Sequence, residues 1–151
     1  MKVCNGIIFA KEYAITMKEK ITIPGKRAKI LFVEDEVLIS WSVATALRKD
    51  GLEVVHVETG EEAIKMLYSV SYDLILTDIK LPQINGIDVA AAAKSISQST
   101  PVIVLSATDR MDVNMAIEGG LIDYYIEKPF DIDEVTAIIL RTLGSRGKNS
   151  E

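Results

Sequence analysis

The sequence predicts an α/β domain, a doubly wound parallel sheet of five strands covered by five helices. Three observations carry this. Strand-like and helix-like segments alternate without a break from Lys29 to Gly144. Three of the strand-like runs are apolar throughout instead of at every second residue, the pattern of strands buried on both faces. The 151 residues suffice for one domain with a proper core, and 48% hydrophobic with 26% charged is a globular mixture.

The elements follow in order. "KILFVED" (29–35) is a continuous apolar run that ends in acids. "VLISWSVATALRKDG" (37–51) has helical spacing at Ile39, Val43, Ala46 and Leu47 and stops at a glycine. "EVVHVE" (53–58) is short and β-branched with polar ends, so it belongs at a sheet edge with His56 facing solvent. "TGEEAIKMLYS" (59–69) opens with a capping-box pattern from Thr59 to Glu62. "YDLILTD" (72–78) and "TPVIVLSA" (100–107) are the other fully apolar strands, with the helix-prone "DVAAAAKSIS" (88–97) between them. "DRMDVNMAIEGG" (109–120) reads as a helix closed by glycine and "DYYIEKP" (123–129) as a short strand. "FDIDEVTAIILRTLG" (130–144) is the final helix, with Asp131 as N-cap and Gly144 as stop.

Charge divides the chain. Residues 1–27 carry six Lys/Arg against two Asp/Glu, and the remainder carries eleven against twenty, for a net −5. We read residues 1–27 as a basic extension joined at "IPGKR", residues 28–145 as the domain, and residues 146–151 as a polar tail. An acidic body argues against the broad phosphate-backbone contact of nucleic-acid binding. The lone cysteine, Cys4, forms no internal disulfide, and no apolar run approaches the roughly 20 residues of a membrane helix. Lys11 and Glu12 interrupt the apolar start, which argues against a signal peptide. A cytoplasmic protein without membrane insertion is expected.

In open α/β sheets ligands sit at the carboxyl ends of the strands. Those ends here carry Glu34 and Asp35, then Asp78, Ser106 and Lys128. Any one of them alone is more often a cap or a surface charge; five at four of the strand ends is a pattern. In "VEDE", "TDIKLP", "VLSA" and "EKPF", in this order, residues 29–143 resemble a response-regulator receiver domain of two-component signalling. The acidic pair is Glu-Asp where many relatives have Asp-Asp. The resemblance implies the flavodoxin-like strand order 2-1-3-4-5, of which such receivers are a known case.

Charge explains what such a rim is for. Carboxylates about 5 Å apart repel by roughly 3 kcal/mol per pair at an effective dielectric near 20, so three together call for a cation or a proton. A hard divalent ion suits oxygen ligands, and Mg²⁺ suits sites that also hold phosphate. The resemblance implies that Asp35, Asp78 and the Lys80 backbone carbonyl bind Mg²⁺, with Glu34 acting through water. It further implies that Asp78 takes a phosphoryl group from a histidine kinase or histidine phosphotransfer protein. Lys128 and Ser106 would hold that group, Tyr125 would act as rotamer switch, and a cis Lys128–Pro129 bond would turn the lysine to the site. A haloacid-dehalogenase-type phosphatase would need a second acid where Lys80 stands. A nucleotide-binding flavodoxin-like domain would need a glycine-rich loop where "EDEVLIS" stands. A degenerate receiver acting only as an interaction module remains the main alternative. The tail "SRGKNSE" implies a receiver acting through an unknown downstream protein, either stand-alone or excised from a larger regulator or hybrid kinase. On the first helix Leu38, Trp41 and Thr45 share a face away from the core stripe, so Leu38 and Trp41 are expected at the surface as a docking site for the phosphodonor.

Overall fold

The computed structural model describes residues 27–107 and 110–148. Cys4, most of the basic extension and its apolar start, the joint up to Lys26, and tail residues 149–151 lie outside the described residues. Five parallel strands form one sheet in the order β2-β1-β3-β4-β5, as the resemblance implied. The strands are β1 (Lys29–Val33), β2 (Glu53–Val57), β3 (Leu74–Asp78), β4 (Val102–Ser106) and β5 (Tyr124–Glu127). The helices are α1 (Val37–Lys49), α2 (Gly60–Ser69), α3 (Gly86–Ile96), α4 (Arg110–Glu118) and α5 (Ile132–Lys148).

The unbroken apolar runs follow from two cores, one on each face of the sheet. Successive residues of a strand point to opposite faces. Ile30, Phe32, Leu74 and Leu76 therefore meet α1 and α5 through Val43, Leu47 and Ile139. Leu31, Val33, Ile75 and Val104 meet α2, α3 and α4 through Leu67, Val89 and Ala116. Every residue of β3 and of β4 is buried.

Local chemistry sets the helix ends, with several departures from expectation. Gly51, at φ 88°, ends α1, and Gly120, at φ 77°, follows α4, as expected of glycines past helix termini. The Thr59 side chain accepts from the Glu62 N–H at 3.2 Å, one half of the expected box. A complete capping box stands at α3 instead, where Asn85 accepts from the Asp88 N–H at 3.0 Å and Asp88 from the Asn85 N–H at 3.3 Å. This starts α3 at Gly86, two residues before the expected helix. Gly144 does not stop α5, which continues to Lys148 and takes in the first three residues of the expected tail. A mid-helix glycine costs only about 1 kcal/mol relative to alanine, and no proline follows to break the helix. On α1 the buried stripe is Ser40, Val43, Ala44 and Leu47, with Ile39 and Ala46 half-buried on its flanks.

Candidate functional site

β1 and β3 lie side by side, so their ends bring Glu34 and Asp35 against Asp78. Carboxylate oxygens of the three lie within 4.8 Å of one another, Glu34 and Asp78 buried and Asp35 exposed. Lys128 follows β5, with a cis bond to Pro129. Its Nζ lies 3.0 Å from Asp78 Oδ2, 3.6 Å from Glu34 Oε2 and 4.0 Å from Glu36 Oε2. Its backbone N–H donates to the Ser106 carbonyl at 2.7 Å. That bond ties the lysine to the end of β4, where Ser106 is buried. Lys80 reaches the cluster through its N–H, which donates to Asp78 Oδ1 at 3.3 Å. Tyr125 sits on β5 opposite Val104, half-buried against the α2–α4 core.

Three carboxylates thus face one ammonium, with Asp35 alongside, and the charges show it. Burial first, then the nearby Asp78 charge, push the Glu34 carboxyl up to about 7, against the opposing pull of Lys128. Burial disfavours the charged form of Lys128. The hydrogen bond it donates to Asp78 outweighs this, with the charges of Asp78, Glu34 and Glu36, and holds the amine above its ordinary range. Glu34 Oε2 is buried and has no hydrogen-bond partner; Lys128 Nζ is too far for one. An orphaned buried carboxylate oxygen within an all-oxygen donor set fits a small divalent cation.

Three residues that hold the site escaped the sequence reading. Glu36 adds a fourth acid and was visible in the same acidic run. Gly86 donates its N–H to the Ile79 carbonyl at 2.8 Å. A Cβ on Gly86 would collide with the Asp78 carbonyl, so only glycine lets α3 begin there; the Asn-Gly pair was the available signal. His56 is not solvent-facing: it is half-buried, with Nε2 2.8 Å from the Glu34 carbonyl oxygen. The edge position of β2 was foreseen, but nothing local in the sequence points to a carbonyl 22 residues away.

A sheet of this order with acids, a hydroxyl and a lysine at its carboxyl edge defines a class of signalling domain. Residues 30–140 match the response regulator receiver domain family, and the chain belongs to that family of two-component systems. It is 43% identical over 108 residues to the uncharacterized transcriptional regulatory protein YcbL of Bacillus subtilis, covering 71% of this chain and 47% of that protein. It is 32% identical over 111 residues to the cell cycle transcriptional regulator CtrA of Caulobacter vibrioides, covering 74% and 48%. The chain thus spans about half the length of these relatives. In fold it is similar to a CheY-like receiver domain protein of Methanospirillum hungatei, with TM-score 0.78, 24% identity and 82% and 99% coverage. It is also similar to the receiver domain of the sensor histidine kinase PA1611 of Pseudomonas aeruginosa, with TM-score 0.70, 26% identity and 79% and 99% coverage. That structure holds a magnesium ion in its active-site cleft. Among the described residues of this chain, no helix is long and apolar enough to cross a membrane.

Proposed function

We propose that this chain is a phosphoacceptor switch in which Asp78 receives a phosphoryl group from a phosphohistidine of a kinase or phosphotransfer protein. A carboxylate oxygen of Asp78 forms the new P–O bond, the P–N bond of the donor breaks, and the electron pair and a proton end on the donor imidazole. The observation that carries this reading is the buried Asp78 carboxylate, held 3.0 Å from Lys128 beside two further acids. Glu34, Asp35, Asp78 and the Lys80 carbonyl are the residues to hold Mg²⁺, which supplies charge neutralisation during transfer. Lys128 gives the transferred group a positive partner and Ser106 a hydroxyl donor. Tyr125 follows Ser106 as the switch that alters the face seen by a downstream protein. The chain is then a stoichiometric acceptor and not a turnover enzyme. The family membership and the PA1611 receiver's magnesium support the reading.

Incubation with acetyl phosphate and Mg²⁺ should add one phosphoryl group per chain by intact-mass analysis. EDTA should abolish it, and Asp78→Asn should leave no acid-labile phosphate. Wild-type incorporation by the asparagine variant would remove Asp78 from the role.

A further inference from the structure

We infer that His56 is a positioning residue for the acidic pair: its ring holds the peptide between Glu34 and Asp35 so that both carboxylates point at one cation. The inference rests on the reading of this cluster as a Mg²⁺ site. β1 and β2 pair in register as far as Val33 and Val57, and one further ladder bond runs from the Glu34 N–H to the Val57 carbonyl at 3.1 Å. β2 then gives way to Glu58 and to Thr59, whose side chain is engaged in capping α2. The Glu34 carbonyl is met by a side chain, His56 Nε2 at 2.8 Å.

The geometry fixes one proton on the ring. A carbonyl oxygen only accepts, so the proton lies on Nε2. His56 stands directly opposite Phe32 in the strand register, and the two rings pack at 5.7 Å between centroids and 54° between planes. Phe32 is fully buried, so the imidazole rests on an immobile surface and its reach to Glu34 is fixed.

What is held matters more than the bond itself. The Glu34 carbonyl belongs to a planar unit that contains the Cα atoms of both Glu34 and Asp35. A donor at that oxygen, together with the ladder bond on the preceding peptide, fixes the direction in which each acid leaves the backbone. Asp35 has the greater need, because it is exposed. Groups that orient ligands in this way act on affinity without touching the metal.

The test uses the whole chain, Mg²⁺ alone as probe, and calorimetric titration as readout. H56L keeps an apolar contact for Phe32 but removes the donor, and should weaken Mg²⁺ binding by about tenfold. H56Q places an amide N–H where Nε2 stands and should stay within about twofold of wild type. Ring ¹⁵N shifts of the wild type at mildly alkaline pH should show the Nε2–H form; an Nδ1–H form would overturn the assignment even if H56L failed to fold. Equal Mg²⁺ affinity of H56L and a Mg²⁺-binding wild type would overturn the role of His56 alone. A wild type that binds no Mg²⁺ would overturn the metal-site reading and this inference with it.

Discussion

Glu34 carries the least comfortable charge among the described residues. Its carboxyl is raised from the ordinary 4.5 to about 7, so the folded chain holds a proton there that the unfolded chain has released. A raised carboxyl contributes stability that is fully present below about pH 4.5 and is lost as pH rises through about 7. The loss is on the order of 3 kcal/mol at 1.36 kcal/mol per pKa unit. Lys128 is raised above 10.5 and has its effect outside that window. Urea unfolding without Mg²⁺ should therefore show wild type weakening from acidic to neutral pH and Glu34→Gln nearly flat across the same range. Parallel curves would place the pH dependence elsewhere. Added Mg²⁺ should stabilise wild type increasingly as pH rises, because the ion competes with the proton for the same carboxylate. At this scale the sequence was most legible where chemistry stands at strand ends: Glu34, Asp35, Asp78, Ser106 and Lys128 all lie where alternation placed them. It was least legible where a side chain serves a distant backbone group. His56 reads locally as an edge residue, and its partner is reached only once β1 and β2 are paired.

We propose the exposed face of the first helix as the surface on which a phosphodonor docks. Its inner stripe is spent on the sheet, while Leu38 is 78% and Trp41 69% exposed. Large apolar side chains free of the core, beside the acidic rim, suit the docking of a phosphodonor helix. Tryptophan is a preferred anchor in such contacts. Trp41→Ala should slow transfer from the cognate donor by about tenfold or more, with acetyl-phosphate labelling unchanged. Its melting temperature should barely move, since exposed substitutions usually stay within about 0.5 kcal/mol. Equal transfer rates in stopped-flow or autoradiographic assays would move the docking surface off this helix. Helix existence was readable throughout, from apolar spacing in the first helix and from caps and composition in the others, whereas only some of the ends were. Gly144 looked like a stop, yet helical packing of Ile139, Leu140 and Leu143 against the sheet outweighs one glycine. The expected helix began at Asp88, and the reciprocal hydrogen bonds between Asn85 and Asp88 move its cap back to Asn85.

Across the whole molecule the sheet separates two cores while presenting one reactive edge. β1, β3 and β4 are flanked on both sides, whereas β2 and β5 are edges. Amide exchange followed by mass spectrometry should be slowest in β1, β3 and β4 and faster in β2 and β5; fast exchange in β3 would mean that Asp78 is not on a rigid support. The fold class and strand count were legible because fully apolar strands leave few architectures, while the strand order came from family resemblance and not from the pattern. One feature of the loop after Asp78 bears on how such a molecule tolerates change. The Gly86 N–H closes onto the Ile79 carbonyl at 2.8 Å, and the Gly86 Cα abuts the Asp78 carbonyl with no room for a methyl group. Residues 81–84 therefore form a handle welded at both ends to the frame, between Lys80 on Asp78 and the Asn85 cap of α3. Such a handle can change shape, or exchange its side chains for others, while its two anchorages stay put. Variation that suits new partners can accumulate there without disturbing the seat of the aspartate.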